Sequence, residues 1–220
     1  MPIQRYKTDF KTLNADELEK WRAFPPAIVS DCMNRTQVMA GAIKPVAQGM
    51  RVVGQARTVT CMVGDNSAVH ALIGMTRPGE VIVVDAGGFA DTAIWGGIMT
   101  RAAVKQEVGG LVVHGAVRDV AEIIELGLPC FSSAVVPAGP HKGFGGVIDG
   151  PISCGGCPVR PGDIVIGDDD GVSVVPLARA DQILAASIEK VAQEEATNAD
   201  TEKGILPAER FGFGEIEIIG

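Results

Sequence analysis

Aromatic residues are scarce: Phe, Trp and Tyr make up 5% of the 220 residues, with one tyrosine and two tryptophans. A core built from this chain must be aliphatic. Histidine is scarcer still, and His70, His114 and His141 show no i, i+4 or triad-like pairing, which speaks against histidine-rich metal sites and histidine triads. Positive charge is also in short supply, with 19 basic against 27 acidic residues and a formal net charge of −8. That excludes a general nucleic-acid binder, whose affinity comes from neutralising phosphates, but leaves room for a small anion at one local positive site. No apolar run reaches the roughly 18 residues of a membrane span. Met1–Lys11 lacks an apolar signal core, so a cytoplasmic location is expected. The five cysteines (Cys32, Cys61, Cys130, Cys154, Cys157) are odd in number and sit mostly in apolar segments, which reads as reduced core thiols. Cys154-Gly-Gly-Cys157 has no second pair to complete a zinc site, and a Gly-rich loop is the favoured reading.

Glycine is abundant, at 28 residues. The chain is about one and a half times a usual domain of roughly 150 residues, and 46% of it is hydrophobic. We expect one domain spanning 1–220, with a core over about 31–195 and a C-terminal tail over 196–220. Asn14 with Glu17 three residues on is a capping-box pattern that opens a helix over 14–23, and Pro25-Pro26 opens a second over 25–35. Strands are expected within 50–63, at 80–84, 111–113 and 130–135, at 164–166 and 172–175 as a hairpin, and at 214–220 as an edge strand. Helices are expected over 66–75, 92–107, 118–126 and 178–199. The segment 137–162, with eight glycines and five prolines, reads as irregular or hairpin-rich. Helix–strand alternation over 66–136 points to an α/β unit, and the later β-rich part to a second sheet layer.

Four places could carry chemistry. Val84-Asp-Ala-Gly-Gly88 is laid out as a strand, an acid and a Gly-rich turn. It lacks the G-x-G spacing of a dinucleotide or methyltransferase loop, and a plain tight turn explains it as well. Gly96-Gly97 sits early in the 92–107 pattern, where glycines destabilise a helix interior by about 1 kcal/mol each. A helix that begins near Gly97 would leave the amides of Ile98 and Met99 free as an anion site; close helix packing is the equal alternative. Val112–Asp119 is a buried strand that delivers Arg118 and Asp119 at its carboxyl end. Arginine offers a planar fork for a carboxylate, and aspartate a hard oxygen for Mg²⁺ or Mn²⁺; an ion-paired cap is the competing reading. Asp168-Asp169-Asp170 before Gly171 reads as a solvated hairpin turn rather than a Ca²⁺ site.

Pro78-Gly-Glu-Val-Ile-Val-Val-Asp85-Ala-Gly-Gly88, Gly109–Asp119, Gly127-Leu-Pro129 and Arg160-Pro-Gly-Asp163 through Gly171 together resemble one family over about Asp31 to Glu195. It holds the regulator of ribonuclease activity A (RraA) and the 4-hydroxy-4-methyl-2-oxoglutarate / 4-carboxy-4-hydroxy-2-oxoadipate aldolases. The resemblance implies a layered β/β/α fold, a trimer or dimer of trimers with sites between subunits, and a divalent-metal pyruvate aldolase that can also decarboxylate oxaloacetate. It implies that Arg118 binds substrate and acts in catalysis, that Asp119 holds Mg²⁺ or Mn²⁺, and that the helix-start amides at Gly97, Ile98 and Met99 hold the pyruvate carboxylate. It also implies that a glutamate near the C-terminus of a neighbouring subunit, best matched by Glu194 or Glu195, assists the metal. One position departs: the family's acid twenty-one positions before the arginine is Gly97 here.

Cleaving a 4-hydroxy-2-oxo acid needs an electron sink, either a lysine Schiff base or a metal Lewis acid. All eight lysines lie in polar, terminal or loop contexts, which favours the metal. A non-catalytic regulator that binds a ribonuclease is the alternative.

Overall fold

In the computed structural model, which describes residues 2–220, strand β1 (Ile3–Arg5) precedes helices α1 (Ala15–Arg22) and α2 (Pro26–Cys32). The capping box is complete: Asn14 accepts from the Glu17 amide, and Glu17 accepts from the Asn14 amide. There follow β2 (Lys44–Pro45), the ten-residue β3 (Val52–Cys61), α3 (Ser67–Ile73) and β4 (Val81–Asp85). Next come β5 (Ala93–Trp95), α4 (Gly97–Lys105), β6 (Gly110–Val117), α5 (Val120–Leu126) and β7 (Cys130–Val135). The chain continues through β8 (Gly146–Ile148), β9 (Ile152–Cys154), β10 (Cys157–Val159), β11 (Ile164–Asp168) and β12 (Gly171–Val175). It ends with α6 (Ala180–Glu202) and α7 (Pro207–Phe211).

The expected helix over 92–107 divides in two. Ala93, Ile94 and Trp95 are wholly buried, and this segment pairs in parallel with β6 as a strand. Gly96 then takes an extended conformation, and helix begins only at Gly97. The expected edge strand at 214–220 does not form. Its alternation of Glu and Ile meets no partner strand among the described residues, and Ile216 and Ile218 stand 89% and 93% exposed. The short helix α7, begun by Pro207, was not anticipated. The apolar core also reaches N-terminal of residue 31, through Leu13, Trp21, Phe24 and Ile28.

The sheet runs β1-β8-β3-β4-β6-β7-β2, with β3, β4, β6 and β7 parallel. β3 is the hinge of the architecture. Its first half, Val52–Gln55, pairs antiparallel with β11, and its second half, Ala56–Thr60, pairs with β4. One chain segment thus serves two sheet layers. Side chains on one face of the parallel sheet pack with α3 and α4 around Val59, Leu72, Ile82, Met99 and Leu111. The opposite face packs against β9, β10 and β12 through Val83, Val112, Phe131, Cys154 and Val174. α1, α2 and α6 cover the far side of β11 and β12 through Trp21, Ile28, Ile164 and Ile183. Full burial of such aliphatic side chains is worth roughly 1.5–3 kcal/mol each. The fold is a mixed α/β single domain with layered sheets and a C-terminal helix.

Cys154 and Cys157 face each other across a two-residue turn in which Gly155 and Gly156 have φ of 55° and 77°. That is the left-handed pair a tight hairpin requires, and glycine reaches it without strain. All five cysteines are free; burial pushes Cys61, Cys130 and Cys157 up to about 12. Asp168, Asp169 and Asp170 form the β11–β12 turn, where Asp168 accepts from the Asp170 amide and Asp169 from the Gly49 amide. No helix among the described residues is long and apolar enough to cross a membrane.

Candidate active site

Val112 and Val113 are fully buried, and β6 carries the chain straight out of the core to Arg118 and Asp119 at its carboxyl end. Ligands bind at this end of the strands in open α/β sheets. Asp119 has φ 57° and ψ 39°, a left-handed conformation that few non-glycine residues adopt. It sits at the N-cap position of α5, yet its carboxylate does not cap that helix. Instead Oδ2 accepts from the amide of Gly97, at 2.9 Å, and so reaches the start of α4. Strained backbone of this kind collects at functional sites, where the surroundings hold it.

Three features meet around that contact. The Arg118 backbone amide donates to the Trp95 carbonyl at 2.9 Å, which fixes the residue over β5. The Arg118 guanidinium lies with Nε 3.6 Å from Asp119 Oδ2, and the backbone of Gly139 passes so close to Nη1 that a Cβ there would overlap it. The second feature is the open end of α4. The Gly97 amide is taken by Asp119, while the amides of Ile98 and Met99 have no hydrogen-bond partner among the described residues. Ile98 is 79% exposed beside them.

The third feature is Glu122, which sequence reasoning missed. It lies three residues after Asp119, in the first turn of α5, so both carboxylates project from one face of that turn. Glu122 leans across onto α4: a Cβ on Gly97 would overlap its carboxylate, and a Cβ on Gly96 would lie 2.6 Å from Asp119 Oδ2. The two glycines form a cradle that the two carboxylates occupy. The acid absent from position 97 is therefore matched by an acid delivered to the same place from the facing helix. The i, i+3 spacing of Asp119 and Glu122 was visible in the sequence; their convergence on Gly97 was not, because it depends on how α4 packs against α5.

The donor set fits a hard divalent cation. Mg²⁺ is usually held by one or two carboxylates with the remaining positions left to water or substrate oxygen. Among the described residues no group of three or more His, Cys, Asp or Glu side chains gathers, so a pair is the most one chain offers. Glu194 stands apart. It lies on α6 and pairs with Lys190 at 3.6 Å, and Lys190 also reaches Asp31 on α2 at 3.4 Å. Glu195 is exposed on the same helix. No hydrogen bond or ion pair joins either to Asp119 or Glu122 within the chain. A cavity of about 700 Å³ lies elsewhere, between the N-terminal segment at Asp9–Lys11 and the Arg160–Asp163 loop, and contains none of these residues.

A family model described as RraA-like, Aldolase/RraA, matches residues 26–174. The chain belongs to the RraA-like family. Among its RraA-like relatives is a Halalkalibacterium halodurans protein named as a candidate 4-hydroxy-4-methyl-2-oxoglutarate aldolase. It is 38% identical over 181 residues, which cover 82% of this chain and 86% of the relative. A Thermus thermophilus protein named 4-hydroxy-4-methyl-2-oxoglutarate aldolase is 32% identical over 67% of this chain and 90% of its own length. A solved Streptomyces coelicolor structure, described as an unusual member of the RNase ES inhibitor RraA protein family, superposes with a TM-score of 0.78 at 27% identity. It covers 85% of this chain and 98% of that one.

Proposed function

We propose that this RraA-like protein is a divalent-cation-dependent carbon–carbon lyase that releases pyruvate from a 4-hydroxy-2-oxo acid or diacid and also decarboxylates oxaloacetate. One observation carries the reading: Asp119, Glu122 and Arg118 converge on the open N-terminus of α4. The names of the aldolase relatives support it. So do the lysines, seven of which are exposed while Lys190 is half-buried. None is in the desolvated setting that makes a Schiff-base lysine nucleophilic at neutral pH.

Asp119 and Glu122 would hold Mg²⁺ or Mn²⁺. When bound, the cation supplies Lewis-acid polarisation of the 2-oxo group. The amides of Ile98 and Met99 bind the adjacent carboxylate, with Gly97 as the turn that aims them. Arg118 offers its guanidinium to the 2-oxo oxygen and stabilises the negative charge that develops there as the C3–C4 bond breaks; the 4-hydroxyl proton leaves to solvent water as the C4 carbonyl forms, and C3 takes a proton from water to give pyruvate. A chain of net charge −8 thus binds an anion through local donors. The partner is a small 2-oxo acid, and we read the protein as a trimer or dimer of trimers in which Glu194 reaches a neighbouring subunit's site.

Full pyruvate release from 4-hydroxy-4-methyl-2-oxoglutarate or oxaloacetate in excess EDTA would refute the reading; loss of release with recovery on added Mg²⁺ or Mn²⁺ is the expected result. A second reading, a non-catalytic regulator that binds a ribonuclease, rests on the likeness to the S. coelicolor protein. Co-purification with a ribonuclease, together with no turnover of either substrate, would favour it.

A further inference from the structure

Glu122 can face Asp119 only if something holds its flexible side chain against α4. The nearest cation on that helix is Arg101, whose Nε donates to Glu122 Oε1 at 2.6 Å. Arg101 lies four residues after Gly97, so the two share one face of α4, a turn apart. Gly97 leaves out the volume that would push the carboxylate away, and Arg101 supplies the charge that draws it in. The contact uses only Oε1, and Oε2, the oxygen over Gly97, accepts no hydrogen bond among the described residues. Of the guanidinium nitrogens, only Nε has a protein partner among those residues. Lys105, the next cation along α4, makes no ion pair, and Arg118 pairs with Asp119 instead. Arg101 is therefore the only basic side chain among the described residues within ion-pair reach of Glu122.

We propose that Arg101 is the positioning residue for Glu122: it pins one carboxylate oxygen so that the other is presented, already oriented, beside Asp119. The inference rests on the reading of Asp119 and Glu122 as the cation-holding pair. It concerns a residue that touches neither cation nor substrate. Orientation paid for by a neighbouring residue before binding shows up as affinity, since a ligand that must be ordered on binding weakens it.

The test is Mn²⁺ affinity, measured by electron paramagnetic resonance or calorimetry on the full chain. Exposed ion pairs are worth about 0.2–1 kcal/mol, and Arg101 is 64% exposed. Arg101→Ala should weaken Mn²⁺ about two- to fivefold, and Arg101→Lys should recover part of that loss. In a Glu122→Gln background, Arg101→Ala should change nothing further, because the group it positions is no longer a carboxylate. Alanine is a good helix former at this surface position, so the fold should be retained; circular dichroism checks it. Tighter Mn²⁺ binding by Arg101→Ala would overturn the proposal and make Arg101 a competitor for Glu122. Unchanged affinity, or an equal loss in the Glu122→Gln background, would overturn it as well. No Mn²⁺ binding by the unaltered protein would instead overturn the cation-site reading itself.

Discussion

At the scale of single residues the site turns on a trade between two positions. Gly97 carries no side chain, and the carboxylate of Glu122 fills the space a Cβ would need. The nearest atoms that a methyl group at 97 meets are the end of a flexible side chain, so Gly97→Ala should leave thermal stability nearly unchanged while it displaces Glu122 and weakens Mg²⁺. Calorimetric titration beside a melting curve separates the two effects. Glu122→Gln keeps shape but removes charge, and should weaken the cation by at least the roughly 10–100-fold lost with outer-sphere partners in metal sites; an unchanged Kd would remove Glu122 from the pair. Arg118 and Asp119 were legible in the sequence because a buried strand ends on them. Glu122 was not, because nothing in a linear pattern says which side chain will fill the gap left by a glycine on another helix.

At the scale of elements, the loops beyond the sheet are held by buried carboxylates. Asp65 is fully buried and accepts hydrogen bonds from the amides of Ser67, Gly143 and Phe144 and from the Ser67 hydroxyl. It thereby ties the start of α3 to the 141–146 loop. Burial pushes its pKa up, but these donors outweigh burial and hold it below the usual carboxylate value. A carboxyl with a depressed folded pKa contributes stability above its unfolded pKa, and that contribution is lost as pH falls through the folded value. Asp65→Asn should therefore lower the melting temperature at neutral pH, with a cost of about 1–3 kcal/mol for the donors left unpaired. It should also flatten the fall of melting temperature on acidification. An acid limb as steep as that of the unaltered protein would exclude this role. Most elements could be read from periodicity and from glycine and proline punctuation. β5 could not: Ala93-Ile94-Trp95 is as apolar as a buried helix turn, and only its pairing with β6 makes it a strand.

At the scale of the whole molecule, one ionic cluster ties the sheet to its N-terminal edge. Arg57 is buried between Asp149 and Glu80, and Arg5 of β1 reaches the same Asp149 at 2.8 Å. Removing one partner of a buried pair strands the other charge, so Arg57→Ala should cost about 3–5 kcal/mol in chemical denaturation; a loss below about 1 kcal/mol, as at exposed pairs, would show the cluster to be dispensable. The opposite end of the chain leaves Phe213, Ile216, Ile218 and Ile219 uncovered. Exposed apolar side chains crowded into one short segment are candidates for an interaction surface, and we propose this tail as a contact with a second copy. Deleting residues 205–220 should lower the number of subunits given by light scattering; an unchanged subunit number would remove the tail from the assembly. The alternation in 214–220 was legible but misleading, since a strand needs a partner that one chain does not supply.

On the proposal above, a cation held at Asp119 drives carbon–carbon cleavage. The most direct measurement is pyruvate release, coupled to lactate dehydrogenase, by the unaltered protein and by Asp119→Ala over a Mg²⁺ titration with 4-hydroxy-4-methyl-2-oxoglutarate as substrate. The expected rate saturates with Mg²⁺ in the unaltered protein and falls to background at every concentration in Asp119→Ala. Equal rates in the two proteins would contradict it.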